Sequence, residues 1–195
     1  MTGTPSDPFA AFGEWMREAE AHPAIRYAHA ATLATVDEGD LPDARVVLVH
    51  RFDPGGFVFS TDDRSPKAAQ LSRRPAAALV FYWGPLDRQV RIRGNVAEGT
   101  EEESDHCFEE RPRGSRLTAW GPPQSSELGK PLGAAWAVAE ARFEDQPRVP
   151  RPEHWRAYRL RPTSIELWRA ARHRLHDRRR YERSGDGWRR VHLVP

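Results

Sequence analysis

Arg45, the Ser60-Thr61 pair, Ser65 and Lys67 put cations and hydroxyls within a short length of chain, and Ser65-Pro66-Lys67 has the pattern of a helix start. Free backbone N–H groups at a helix N-terminus, joined by a lysine and hydroxyls, suit a phosphate, because the macrodipole and the unpaired donors both favour an anion. The same residues also read as an ordinary capped helix with solvated charges, and the local pattern leaves both readings open. Other chemistries find no motif. One cysteine, Cys107, and eight scattered histidines give no paired zinc spacing. There is no Gly-x-Gly-x-x-Gly turn, P-loop or Gly-x-Ser-x-Gly elbow.

The elements that must hold these residues are mostly strands. Ser6 or Asp7 before Pro8, with Phe9, Phe12, Met16 and Ala19 at helical spacing, predicts an amphipathic first helix ending near His22-Pro23. Short β-rich runs follow at Ala31 to Val36, Ala44 to Phe52 and Phe57 to Thr61, separated by Asp/Gly/Pro turns. A second helix runs from Ser65-Pro66 to Arg74, then strands at Ala76 to Trp83 and Arg88 to Val96, where Val90 and Ile92 alternate with Gln89, Arg91 and Arg93. Thr100-x-x-Glu103 is a capping box opening a helix that carries Cys107 and stops at Arg111-Pro112. Leu132 to Phe143 reads as a further helix. After a hinge at Pro147 to Pro152 come strands at Trp155 to Leu160, Ser164 to Arg169 and Arg174 to Arg183, with a turn at Ser184-Gly185-Asp186-Gly187 into Trp188 to Leu193. Strands joined by tight turns pair antiparallel, so the fold class is mainly β: a barrel with peripheral helices.

At 195 residues the chain fits one domain, with residues 1–27 a helical lead and 148–195 a terminal group of strands. A lone cysteine excludes an intrachain disulfide, no apolar leader precedes the first helix, and no apolar run is long enough for a bilayer, so a cytoplasmic protein without membrane contact is expected. The net charge of +2 hides an uneven distribution: residues 148–195 hold 14 Arg against 5 acidic residues, while the remainder holds 16 basic against 23 acidic. That block alternates with Trp, Tyr and Ile in strand fashion, which fits a folded surface, an anionic-ligand site or a subunit contact better than a nucleic-acid arm.

Taken in order, Asp7-Pro8-Phe9, Arg45-Val46-Val47-Leu48, Phe57-Val58-Phe59-Ser60-Thr61, Ser65-Pro66-Lys67, Arg88-Gln89-Val90, Arg111-Pro112-Arg113 with Ser115, Gln124-Ser125-Ser126, Ile165-Glu166-Leu167-Trp168 and His173-Arg174-Leu175-His176-Asp177-Arg178 resemble the pyridoxamine 5'-phosphate oxidases over nearly the whole chain. The resemblance implies an FMN-binding split barrel that forms a homodimer with FMN at the subunit seam. It implies that Arg45, Val46, Ser60, Thr61, Ser65, Lys67, Gln124 and Ser125 approach the phosphate and ribityl part of FMN, while Gln89, Trp168 and Arg178 line its ring. Arg111 and Ser115 would hold a small-molecule substrate's phosphate, with His50 and Cys107 beside them, and Arg174 and His176 would close over the substrate as the catalytic pair. The implied reaction is hydride transfer from the substrate to flavin, with dioxygen as acceptor.

Four positions depart from the family pattern. His50 stands where the family has lysine and Cys107 where it has tyrosine, both on the substrate phosphate; Ser60 replaces a tyrosine beside the flavin and Pro66 an arginine. Losing a cation and a phenol weakens a phosphate site, each charge-assisted bond contributing about 1.5–3 kcal/mol. An oxidase of another reduced aromatic, as in the related flavoenzymes of phenazine biosynthesis, is therefore the first alternative. A non-catalytic flavin-binding module is the second.

Overall fold

The computed structural model describes residues 7–129 and 131–195. Ser6, the alternative cap of the first helix, lies outside them. Helix α1 (Pro8–Ala21) is capped by Asp7, whose carboxylate accepts from the Phe9 N–H at 3.0 Å, and proline occupies its first turn, where its missing N–H costs nothing. Its apolar stripe of Phe9, Phe12, Met16 and Ala19 is buried on the barrel. Phe12 meets Phe52, Phe57 and Phe81 at ring-centroid distances of 4.7, 5.0 and 5.1 Å, and burying a ring of this size stabilises by about 1.5–3 kcal/mol.

Eight strands make one antiparallel sheet: β1 (Ala30–Val36), β2 (Pro42–Asp53), β3 (Gly56–Asp62), β4 (Ala76–Trp83), β5 (Arg88–Glu98), β6 (Trp155–Arg169), β7 (Asp177–Ser184) and β8 (Gly187–His192). Their order is β3-β2-β1-β4-β5-β6-β7-β8, and a further pairing of β3 with β6 closes the first six into a barrel. Alternation decides what faces in. Val47 and Val49 on β2, Leu79 and Phe81 on β4, and Val90 and Ile92 on β5 fill the interior.

The terminal strands differ from the sequence reading. Trp155 to Leu160 and Ser164 to Arg169 are not two strands but one 15-residue strand, β6, which pairs with β3 through Trp155 to Leu160 and with β7 through Ser164 to Arg169. Pro162 sits at that change of partner, opposite a register shift between Arg93 and Gly94. Gly94 is required there, because a Cβ would lie 2.0 Å from the Arg161 carbonyl oxygen. Here the barrel splits, and β7 and β8 continue away from it as an annex.

Helix α2 (Pro66–Arg73) begins after Ser65 as expected, but the serine makes no side-chain cap and its buried hydroxyl has no partner among the described residues. Helix α3 (Glu101–Glu109) has both bonds of the capping box, Thr100 with Glu103. A short helix that the sequence reading omits, α4 (Arg113–Thr118), follows Pro112, and α5 (Leu132–Arg142) packs near it around Leu117, Ala139 and Phe143. Among the described residues no helix is long and apolar enough to cross a membrane.

Candidate active site

A cavity of about 570 Å³ opens on the outer face of β2 and β3. Strand alternation supplies its wall: Val46, which is 67% exposed, Leu48 and His50 point outward while Val47 and Val49 point in. Ser60 and Thr61 come from β3, Lys67 from the first turn of α2, Arg111 and Pro112 from the passage between α3 and α4, and Ser115 from α4 itself. Gln124 and Trp155 complete it. Eight of the twelve residues that the sequence groups as phosphate or substrate contacts on the first two-thirds of the chain thus meet in one place; Arg45, Ser65, Cys107 and Ser125 do not line it.

At one end the Lys67 ammonium donates to Thr61 Oγ1 at 3.1 Å and to Gln124 Oε1 at 3.0 Å, and Thr61 donates to the same Gln124 oxygen at 2.9 Å. Both acceptors of the ammonium are neutral. Lys67 forms no salt bridge with a described carboxylate, and burial, followed by the charge of Arg45, pulls its pKa below the ordinary lysine value. A cation held this way is stabilised by an anion. Arg45 itself does not line the cavity. It lies behind Lys67 on the inward side of β2, bonded to Asp43, to Thr35 Oγ1 at 2.5 Å and to Gln70 Oε1 at 3.0 Å, so it adds field rather than contact. Ser65 is buried and also off the lining; Ser125, next to Gln124, has a left-handed backbone with φ 65°.

At the other end the Arg111 guanidinium carbon lies over the Trp155 ring, 4.0 Å from its centroid, and one Nη2 proton goes to the Ser115 carbonyl at 2.5 Å. Its Nε is buried with no hydrogen-bond partner among the described residues, and burial pushes its pKa down to about 10. The surface pairing of Arg111 with Glu109 or Glu110 that the sequence allows is not formed: Glu109 pairs with Arg148, and Glu110 with His50 and His106. His50 Nε2 is 2.9 Å from Ser60 Oγ. Cys107 does not reach this end. It is buried between Val58 and Ala157, and burial pushes its thiol up to about 11.

The remaining site residues form a second group on the annex side. Gln89 of β5 faces Trp168 of β6, which faces Arg178 of β7, in consecutive register. Trp168 and His176 lie 4.7 Å apart between ring centroids. Arg178 is fixed by Glu166, through Nε at 3.1 Å and Nη2 at 2.8 Å, and by the Val194 carbonyl at 2.9 Å. Arg174 is exposed and does not begin β7. It closes a single 3-10 turn, Arg172–Arg174, in which His173 and Arg174 hold φ of 58° and 61°, a conformation that side chains rarely adopt. None of these five residues lines the cavity.

Glu110 and Trp155 are cavity residues that sequence reasoning missed. Glu110 looked like one more surface charge on a helix end, and only the fold brings it to His50, 60 positions earlier in the chain. Trp155 carries a weak signal, an aromatic at the start of a strand, that does not distinguish a cavity floor from a core residue. Among the described residues no cluster of three or more His, Cys, Asp or Glu could hold a metal ion.

A closed antiparallel barrel whose sixth strand leaves to build an annex, with a cationic cavity on its outer wall, defines the class of FMN-binding split barrels. The backbone overlays PhzG from Burkholderia lata, solved in complex with tetrahydrophenazine-1-carboxylic acid, with a TM-score of 0.91 at 30% identity, over 99% of this chain and 95% of that one. It shares its fold with a pyridoxamine 5'-phosphate oxidase-related, FMN-binding protein of Nostoc punctiforme, at a TM-score of 0.78 and 22% identity, over 99% and 100% of the two chains. The family models for pyridoxamine 5'-phosphate oxidase and for the pyridoxine 5'-phosphate oxidase C-terminal dimerisation region match residues 18–168 and 155–195. The chain belongs to the pyridoxamine 5'-phosphate oxidase family, a family of FMN-dependent oxidases. It is 46% identical to the pyridoxine/pyridoxamine 5'-phosphate oxidase of Rubrobacter xylanophilus, over 99% of this chain and 89% of the relative. With that of Thermosynechococcus vestitus the identity is 47%, over 97% and 89%.

Proposed function

We propose that two copies of this chain build each active site from unlike halves, that FMN binds there, and that the protein oxidises pyridoxamine or pyridoxine 5'-phosphate. One observation carries the reading: Lys67 and Arg111, both partly buried and neither paired with a described carboxylate, stand in one cavity of about 570 Å³. Two cations awaiting anions suit a cofactor phosphate and a substrate phosphate. The donor set fits FMN, with the Lys67 ammonium and Thr61 hydroxyl for its phosphate and Arg45 adding charge behind them.

Topology argues for the second copy. In the six-strand ring β2 and β5 are three places apart, and Val46 and Gln89 both point outward from them. One flat ring cannot touch both within a single chain, whereas a two-fold partner can bring its Gln89, Trp168 and Arg178 to the Val46 wall. The matched dimerisation region, residues 155–195, contains the last two of these. Bound FMN supplies the hydride acceptor and passes the electrons to dioxygen with release of hydrogen peroxide. The chain's part is to orient and to exclude water: Arg111 and Ser115 anchor the substrate's anionic group, and Arg174 and His176 of the annex cover its ring.

The test is a visible spectrum of the protein loaded with FMN, followed by anaerobic addition of pyridoxamine 5'-phosphate. Bleaching, then recovery in air with one peroxide per turnover, is expected; a colourless protein or an unbleached flavin overturns the reading. The overlay on PhzG, together with a histidine in place of a lysine near Arg111, favours as second reading a reduced aromatic carboxylate as substrate. That reading requires bleaching by such an acid and none by either B6 phosphate.

A further inference from the structure

His50 is the residue that the β2–β3 register skips: Val49 pairs with Phe59 and Arg51 with Val58. His50 faces outward with Val46 and Leu48, into the cavity beside Arg111, and the bulge leaves it without a cross-strand partner on β3. The ring is held between Ser60 Oγ, 2.9 Å from Nε2, and Glu110 Oε2, 3.3 Å from Nδ1, and the other Glu110 oxygen is 3.3 Å from His106 Nε2. When the ring is neutral, Nδ1 donates to the carboxylate and Nε2 accepts the Ser60 proton. The unit then offers an incoming anion no donor and confronts it with a negative carboxylate. When the ring is protonated, Nε2 donates to Ser60 Oγ, the hydroxyl proton turns to the cavity, and the unit becomes neutral.

We propose that His50 is a proton-operated specificity residue: with its ring neutral, the Arg111 end accepts a monoanion such as a carboxylate, and with its ring protonated it accepts a dianion such as a phosphate monoester. The proposal rests on the reading of Arg111 as the substrate's anion anchor. The groups that face the ring are Glu110 and Arg111 after α3, His29 before β1, and Lys67 across the cavity. Burial is the largest influence and, with the charges of Arg111 and His29, outweighs Glu110, so the ring titrates below the ordinary histidine value. A bound dianion reverses this, raising the titration point of the ring, so that His50 takes up a proton on binding. Dianion affinity therefore falls by about tenfold per pH unit between the titration points of the free and the occupied ring. A lysine at the same position would bind at all these pH values.

The experiment uses inorganic sulfate, which stays dianionic throughout the pH range in which histidines titrate. Its affinity is measured on FMN-saturated wild type, His50→Lys and His50→Gln. In parallel the imidazole resonance of His50, assigned by its loss in His50→Gln, is titrated with and without sulfate. Expected are a wild-type affinity that weakens with rising pH, a flat and tighter profile in His50→Lys, a flat and weak one in His50→Gln, and a His50 titration point raised by sulfate. A wild-type profile parallel to that of His50→Gln, or a His50 resonance whose titration sulfate leaves unmoved, overturns the proposal. If no variant retains FMN, the flavin reading fails instead, and the resonance titration in Lys67→Met, which removes the other anion end, still decides the role of His50.

Discussion

Replacing Lys67 by methionine separates binding from folding, because the ammonium does different work in the two states. Among the described residues it donates in the unliganded protein only to Thr61 Oγ1 at 3.1 Å and Gln124 Oε1 at 3.0 Å, and Thr61 keeps its own 2.9 Å bond to Gln124 when the lysine is gone. No described carboxylate is orphaned, a partly buried charge is removed, and methionine keeps the apolar stem. The unliganded melting temperature should hold or rise. With FMN present the variant lacks one charge-assisted bond to the phosphate, about 1.5–3 kcal/mol. That corresponds to an affinity lower by about tenfold to about 150-fold. Quenching of free FMN fluorescence on titration with protein measures it, and melting curves without flavin provide the control. A loss below about threefold, or a lower melting temperature with unchanged FMN affinity, refutes the assignment of Lys67 to the cofactor phosphate.

Arg111→Met should leave the FMN affinity within about twofold of wild type while weakening the KM for a phosphorylated or carboxylated substrate by about tenfold or more, as read from steady-state peroxide formation. The Cys107 thiol, pushed up to about 11 chiefly by burial, should resist a thiol reagent at pH 8 in the folded protein and react once it is unfolded in denaturant. Gly94→Ala should destabilise by about 1–3 kcal/mol in urea titrations, since the new methyl meets backbone where the barrel splits. For Asp53 and Glu103, burial is the largest single influence and raises the pKa, but the hydrogen bonds from Arg159 and from a backbone N–H, Gly55 or Thr100, together with the nearby arginine charges, outweigh it, so both lie below the ordinary carboxylate values. Their contribution is complete above the unfolded-state values near pH 4 and is lost as pH falls through the depressed ones. Arg159→Met should accordingly move the acid-unfolding midpoint to higher pH.

Local signals carried the early part of the chain. Asp7 before Pro8, the Thr100 to Glu103 box and the alternation in Arg88 to Val96 each report on neighbours a few residues away, and each element stands where those signals put it. Ser65 shows the limit: the pattern marks the helix start, while the side chain points elsewhere and caps nothing. The sequence reads as two strands, Trp155 to Leu160 and Ser164 to Arg169, yet one strand runs through Pro162, because Gly94 opposite admits the close backbone approach and neighbouring strands change on one side only. Arg174 to Arg183 reads as one strand, but the left-handed backbone of Arg174 belongs to the turn before it. The residues of the cavity were legible as a list through the family resemblance. Their division into a Lys67–Arg111 group and a Gln89–Trp168–Arg178 group was not, because it depends on which strands are opposite in a closed ring.

Mixing two inactive chains tests that division most directly. Lys67→Met combined with Arg111→Met disables the cavity of one chain, and Trp168→Ala combined with Arg178→Met disables the annex of the other. Each double variant alone should be inactive. After the two are unfolded and refolded together, random two-fold pairing should restore about one quarter of the wild-type sites, each built from one intact cavity and one intact annex. Activity and tightly bound flavin reaching that level is the predicted result; a mixture as inactive as its components would contradict a site shared between two copies.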